Sequence, residues 1–111
     1  MNIKDELKSM EAEEFCGNCG KVMRAICINK AVGRFSFTEL CHMLVNFDMD
    51  KEEILEVLDY FEDKGYIETK DTDGNIIKPC DIDDERDLVL RLTGEGRLIA
   101  KGIKEDIAIK L

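Results

Sequence analysis

The 111-residue sequence lacks any apolar run approaching the roughly 18 residues that a membrane span needs. Its first residues, MNIKDELKSMEAEEF, also lack the apolar core of a secretory signal. We therefore expect a cytoplasmic protein that makes no use of a membrane. Five cysteines are present, an odd number, and without an export signal they indicate reduced thiols rather than a disulfide framework.

The sequence has little that could carry catalysis. Its only histidine, His42, falls outside the apolar stripe of the helix that contains it, so it should face solvent, and no serine or carboxylate is placed to pair with it. Asp71, Asp73 and Asn75 resemble a calcium loop, but Gly74 is its fourth residue where that loop needs glycine at the sixth. We therefore expect a non-enzymatic protein whose acidic segment here is a solvated turn.

A second CxxC pair is also missing. Cys16 and Cys19 could give two thiolates to a zinc ion, but a closed site needs two more ligands, and Cys41, His42 and Cys80 are scattered without ligand spacing. The acidic stretch before Cys16 also lacks the apolar strand of a thioredoxin-like redox site. We expect no cofactor and less than about half an equivalent of zinc, with Cys16 and Cys19 as weak metal candidates. The alternative is that both extend the apolar face of a helix.

The length and composition of the chain fit one folded domain. A chain of this length can bury one core, and its 44% apolar residues are interspersed with 37% charged residues. The predicted organisation is an acidic helical extension over residues 1–17, a main domain over 18–103 and a C-terminal helix or tail over 104–111.

Apolar residues at helical spacing predict three core helices. Capping boxes mark the starts of the second and third helices, at Ser36 with Glu39 and at Asp50 with Glu53. The apolar faces consist of Cys19, Val22, Met23, Ile26 and Cys27 in the first helix, Phe37, Leu40, Cys41, Leu44 and Val45 in the second, and Ile54, Val57, Leu58 and Phe61 in the third.

Strands are predicted around these helices. Phe35 fits a brief edge strand, and Gly65 should end the third helix in a left-handed conformation that lets Tyr66 pack on Phe61. Two further strands are predicted over residues 66–70 and 88–92. Turn residues 71–75 and a long polar loop with the single proline separate them.

A last helix is predicted from Thr93, which can cap it, and its apolar side consists of Leu98, Ile99, Ile103 and Ile107 despite the interruption at Gly102. Ile99, Ile103, Ile107 and Leu111 recur every four residues, which predicts a dimerisation helix. The alternative is that this segment packs on the first helix of its own chain.

Three segments of the chain resemble the winged-helix superfamily, as found in small bacterial and phage regulators of the MarR and PadR kinds. They are residues 54–61, residues 63–68 and the segment Leu92-Thr93-Gly94-Glu95-Gly96-Arg97. The resemblance covers roughly residues 20–103. It implies an α+β winged-helix fold with a three-helix core, a two-stranded β wing and a C-terminal helix, in which the third helix and the wing approach DNA.

The charge distribution opposes that mode of binding. The net charge is −9, yet residues 48–87 contain sixteen acids against five bases, a net −11, and the rest of the chain sums to +2. Carboxylates on the third helix and wing would repel phosphates where lysine and arginine normally neutralise them. The wing carries its acids at Asp71, Asp73, Asp81, Asp83, Asp84, Glu85 and Asp87.

These observations favour an interaction module of transcription-regulator type that binds a protein partner or its own copy. A sequence-specific DNA-binding regulator is the alternative, and a zinc- or thiol-dependent protein is the second alternative. The candidate partner-binding residues are Lys51, Glu52, Glu53 and Glu56 on the third helix and, at i, i+4 and i+7 of the last helix, Arg97, Lys101 and Lys104. Further bases occur near the first helix at Lys21, Arg24, Lys30 and Arg34.

Overall fold

The computed structural model describes residues 3–28, 35–83 and 86–109, with side chains from residue 10 onward. Within them the protein is α+β, as predicted, with four α-helices and one three-stranded antiparallel sheet. No described helix has the length and apolar character needed to cross a membrane. The elements are α1 (Ile3–Ile28), β1 (Phe35–Ser36), α2 (Phe37–Leu44), α3 (Lys51–Asp63), β2 (Ile67–Asp71), β3 (Leu88–Leu92) and α4 (Gly94–Ala100).

The apolar faces predicted for the first three helices form most of the core. All four predicted positions of α3 are buried, and so are four of the five on α1, with Cys27 half-buried. On α2 the prediction is wrong at one position, Val45, whose surface is 64% exposed. The backbone tightens there into a 3-10 turn over Val45–Phe47, which rotates Val45 off the apolar face of α2.

Both ends of α3 match the sequence prediction. The Asp50 carboxylate accepts a hydrogen bond from the Glu53 amide at 2.8 Å, and the Glu53 carboxylate accepts one from the Asp50 amide at 3.1 Å. At the other end Gly65 has φ +76°, and the Tyr66 amide donates to the Phe61 carbonyl at 2.8 Å. The Phe61 and Tyr66 rings lie 6.2 Å apart. This is a Schellman ending with its apolar contact.

The sheet has β3 at its centre, in the order β1-β3-β2. Phe35 pairs with Leu90 on one side, and Ile67 pairs with Leu92 on the other. The burial of β2 alternates along its length, so one face of the sheet lies on the helices and the other faces solvent. At the end of β2, the Asp71 carboxylate accepts hydrogen bonds from the Asp73 and Asn75 amides at 3.0 and 2.9 Å, which closes the predicted turn.

The long C-terminal helix predicted from the isoleucine spacing is wrong. Thr93 caps α4 as expected, but α4 ends at Ala100, and Gly102 takes the left-handed conformation, with φ +72°, that terminates a helix. Ile103 and Ile107 lie beyond it and are 71% and 94% exposed. The predicted position Leu111 lies outside the described residues.

The segment that follows α4, residues 103–109, folds back on its own chain. Ala108 and Ile109 are buried, and a β-bridge joins Asp106 to Ile109. At the opposite end of the chain, α1 runs without a break across residue 17. The acidic extension and the first core helix are therefore one continuous helix.

Candidate functional site

The outward face of α3 is acidic along its whole length. Glu52, Glu56, Asp59 and Asp63 recur at i, i+4, i+7 and i+11, which places them on one side of a helix. The buried residues of α3 lie on the opposite side. We call these four residues the acidic stripe. It lies directly opposite the side of α3 that packs on the core.

The polar loop before β3 covers the second half of the acidic stripe. Its Cys80 amide donates to the Asp59 carboxylate at 3.1 Å, and the Lys78 ammonium pairs with Asp63 at 3.4 Å. Pro79 between them is buried, at the start of a 3-10 turn over Pro79–Asp81. The loop is therefore anchored on α3. Glu52 and Glu56 remain exposed, and no described residue forms an ion pair or hydrogen bond with either of them.

The other two α3 candidates have different surroundings. Glu53 is half-buried, and besides closing the capping box its carboxylate accepts a hydrogen bond from the Asn18 amide group of α1 at 3.3 Å. Lys51 is exposed at the first position of α3. Of the four candidates on α3, Glu53 is thus a structural residue that ties α3 to α1, while Glu52 and Glu56 form the open part of the stripe.

The basic candidates do not form the single helical row that their spacing predicts. Arg97 lies on α4, Lys101 caps it, and Lys104 lies past Gly102, where its ammonium pairs with Glu95 at 2.6 Å. Arg97 and Lys101 nevertheless line one cleft of about 380 Å³. Its other lining residues are Ile26, Cys27, Phe35, Leu92 and Ala100.

The bases of α1 are engaged by backbone carbonyls. The Lys21 ammonium donates to the Phe47 carbonyl at 3.2 Å, and the Arg24 guanidinium donates to the Gly20 carbonyl at 3.2 Å. Lys30 and Arg34 lie outside the described residues. The basic surface that the described structure offers is therefore centred on Arg97 and Lys101.

The acids of the β2–β3 loop differ in their exposure. Asp71 is buried, and hydrogen bonds from the Asn75 and Asp73 amides, helped by Arg86 at 3.3 Å, hold the pKa of its carboxyl below the usual range. Asp73 and Asp81 are exposed, and Asp83 pairs with Arg86 at 3.0 Å. Asp84 and Glu85 lie outside the described residues. Asp71 thus points into its own turn, which supports the interpretation of this segment as a turn.

The cysteines of the CxxC motif lie on α1 and have unequal exposure. Cys19 is fully buried in the core, and burial raises the pKa of its thiol to about 12, with smaller contributions from Cys16 and Asp106. Cys16 is half-buried, and no disulfide joins any of the five cysteines, all of which lie in the described residues. Among the described residues no three histidine, cysteine or acidic side chains converge as metal ligands would. His42 is exposed, as its position off the apolar stripe of α2 predicts.

Sequence reasoning missed a cluster of two tyrosines and one carboxylate. Tyr60 donates to Asp106 at 2.8 Å, Tyr66 donates to the second oxygen of the same carboxylate, and the Ala108 amide donates to it at 2.8 Å. The Tyr60 ring also stacks edge-on against Phe15 of α1 at 5.5 Å. This cluster fastens residues 103–109 to α3 and to the turn between α3 and β2. Asp106 sits in a segment whose spacing predicts a helix, so nothing in the sequence pointed to this role.

Replacing Asp106 with asparagine should lower the pKa of both tyrosines. Burial, then the hydrogen bond and the negative charge of Asp106, raise the pKa of Tyr66 to about 12 and raise that of Tyr60 further. The neutral phenols therefore stabilise the fold fully below about pH 10, and this contribution is lost as pH rises toward 12. We expect the pKa of the two tyrosines to be about one unit lower in the variant than in the wild type, since the negative charge is lost while burial remains.

The measurement is phenolate absorbance against pH. The chain has two tyrosines and no tryptophan, so the signal reports on this cluster alone. Glu105→Gln removes a neighbouring exposed carboxylate and should leave the titration unchanged. Identical curves for wild type and Asp106→Asn would show that the carboxylate does not hold the phenols.

Comparison of the chain with protein-family models, with curated proteins and with solved structures finds no match. The function proposed below therefore rests on the geometry and charge of this chain.

Proposed function

We propose that the chain is a non-enzymatic interaction module of winged-helix type, as in transcription regulators, which binds a basic segment of a protein partner through Glu52 and Glu56. The observation that carries the proposal is the acidic stripe, since the helix face that a winged-helix protein presents to its ligand is here entirely anionic. The order of the elements and the central position of β3 are compatible with a winged helix.

The loop over residues 78–81 adds a steric argument. A recognition helix must enter the major groove with its outward face free. Here the loop lies on the second half of that face and is held there by Asp59 and Asp63. A helix with its outer face half covered and the rest acidic is poorly suited to DNA and well suited to a lysine- or arginine-rich protein surface.

Charge complementarity would act mainly on recognition and on the rate of encounter. An exposed ion pair contributes only about 0.2–1 kcal/mol, so two open glutamates cannot alone hold a partner tightly. Opposite charge on two surfaces does speed their association and disfavour wrong partners. We therefore propose transient binding that weakens as salt is added.

The alternative function, a DNA-binding regulator, is favoured by the order of the elements and by the exposed pair Arg97 and Lys101. A zinc- or thiol-dependent protein is the second alternative and would use Cys16 and Cys19. Burial of Cys19 disfavours it, because a thiol with a raised pKa is a poor nucleophile and a poor metal ligand.

The proposal can be tested with a synthetic lysine- and arginine-rich peptide and its glutamate-substituted counterpart, by fluorescence anisotropy. Wild type should bind only the basic peptide. Glu52→Gln with Glu56→Gln should weaken binding by about twofold to thirtyfold, since two exposed ion pairs of about 0.2–1 kcal/mol each are lost.

The matched control is Glu11→Gln with Glu13→Gln, which removes the same charge from two exposed acids of α1. This control should bind almost as wild type does. Equal losses for the two double variants would mean that the peptide responds only to net charge, and the proposed site would then be wrong.

A further inference from the structure

An exposed apolar corner lies between α2 and α3. Val45 and Phe47 are 64% and 50% exposed, although large apolar side chains are usually buried. The 3-10 turn holds them outward, with Asp48 in the left-handed conformation at φ +58° and the Lys21 ammonium bound to the Phe47 carbonyl. Asp48 and Asp50 follow Phe47 in the chain and are exposed, and the Asp50 carboxylate also caps α3. We call Val45, Phe47, Asp48 and Asp50 the corner.

The cleft lined by Arg97 and Lys101 has the opposite charge. Its floor is mostly apolar, with Ile26, Phe35 and Leu92 among its lining residues, and its two charged residues are Arg97 and Lys101. A volume of about 380 Å³ lies within the range of about 300–1,000 Å³ in which proteins hold ligands. The cleft therefore suits a large apolar side chain whose neighbouring residues carry carboxylates.

The geometry points to a second copy of this chain as the occupant of the cleft. We propose that Phe47 of one copy enters the cleft of another, with Asp48 and Asp50 beside Arg97 and Lys101. Both surfaces are present on every copy, Val45 and Phe47 are exposed, Leu92 and Ala100 of the cleft are half-buried, and the charges beside the two surfaces are opposite in sign. The corner supplies an exposed aromatic side chain followed by two carboxylates, and the cleft supplies an apolar lining beside two cations.

Such a contact joins two different surfaces, so it is heterologous. After one contact, one copy keeps a free cleft and the other keeps a free corner, so association proceeds to short chains or a closed ring rather than stopping at a two-fold dimer. Each copy has a net charge of −9, which opposes association at low salt. Near 0.15 M salt the screening length is about 8 Å, which suppresses that repulsion while close pairs still act.

The test is sedimentation velocity on the full chain at rising concentration near that salt level. Wild type should form species larger than a monomer. Phe47→Ser, which impairs the corner, and Arg97→Glu with Lys101→Glu, which impairs the cleft, should each lower the association constant at least about tenfold. Ile76→Ser changes another exposed apolar residue, 84% exposed, and should associate as wild type does.

Mixing the two impaired proteins is the decisive step. Each retains the surface that the other lacks, so an equimolar mixture should form a one-to-one dimer that grows no further. The appearance of this dimer also requires that both variants are folded. A wild type that stays monomeric at every concentration, or a mixture that sediments as its separate components, would overturn the inference. The contact uses neither Glu52 nor Glu56, so its failure and that of the proposed function are distinguishable.

Discussion

Gly96→Ala is expected to destabilise the protein by about 3 kcal/mol. A Cβ at this position would lie 2.0 Å from the Tyr66 carbonyl oxygen and 2.9 Å from a methyl group of Leu92. The first of these neighbours is backbone, which cannot rotate away. Either α4 must move off the turn between α3 and β2, or that turn must deform.

The surrounding hydrogen bonds make either movement costly. The Tyr66 carbonyl accepts from the Thr93 amide at 3.0 Å, and the Thr93 hydroxyl donates to the Gly65 carbonyl while also capping α4. Displacement of α4 would break these bonds together and would uncover Ile99, which is 2% exposed. The glycine therefore permits the close approach that docks α4 on the core.

Gly94→Ala is the matched control, since Gly94 lies two residues earlier in the same helix and a Cβ there meets nothing within 4 Å. It should be neutral or slightly stabilising, by up to about 1 kcal/mol, because alanine restricts the unfolded chain. Urea unfolding of the three proteins measures both effects. Equal midpoints for the Gly96 and Gly94 variants would mean that α4 does not pack as described.

The sequence predicted well those features that depend on nearby residues. The capping box at Asp50, the left-handed Gly65 and the packing of Tyr66 on Phe61 all involve residues within five positions of each other. Local chemistry of this kind follows from residue type and spacing. The strand over residues 88–92 was predicted for the same reason, by its alternation.

Features that depend on distant parts of the chain were not predicted. The isoleucines near the C-terminus have helical spacing, but Gly102 ends α4, and Asp106 bonds to Tyr60, 46 residues away. Spacing cannot reveal such a partner. The folded-back segment 103–109 forms in place of a helix because a contact with a remote part of the chain stabilises it. Val45 was misplaced because a 3-10 turn changes the angle between successive side chains.

In the candidate site too, features set by nearby residues were predicted and features set by distant residues were not. The sequence placed the acids on the third helix and wing, yet it could not separate the open Glu52 and Glu56 from Glu53, which binds Asn18 of α1. It also gave no sign that residues 78–81 would return to cover Asp59 and Asp63. Charge is visible in the sequence, whereas its accessibility depends on the packing of distant segments.

Duplex DNA should bind this protein only very weakly. At roughly physiological salt we expect binding to be weaker than ordinary non-specific binding, whose dissociation constants are about 10⁻⁴ to 10⁻⁶ M. The reason is that carboxylates on α3 would face phosphates and release no counterions. Glu52→Lys with Glu56→Lys changes the charge of the open stripe by four units and should strengthen or create binding. Charge reversal at Arg97, Lys101 and Lys104 should abolish whatever binding the wild type retains.

The most direct test of the interaction-module account is therefore a titration of labelled mixed-sequence duplex DNA with the wild-type protein, by anisotropy, at low and moderate salt. The account predicts no saturable binding at moderate salt and a gain in the Glu52→Lys, Glu56→Lys variant. Nanomolar binding of the wild type to a specific duplex, with a sequence preference altered by substitutions at Lys51, Glu52 and Glu56, would contradict it.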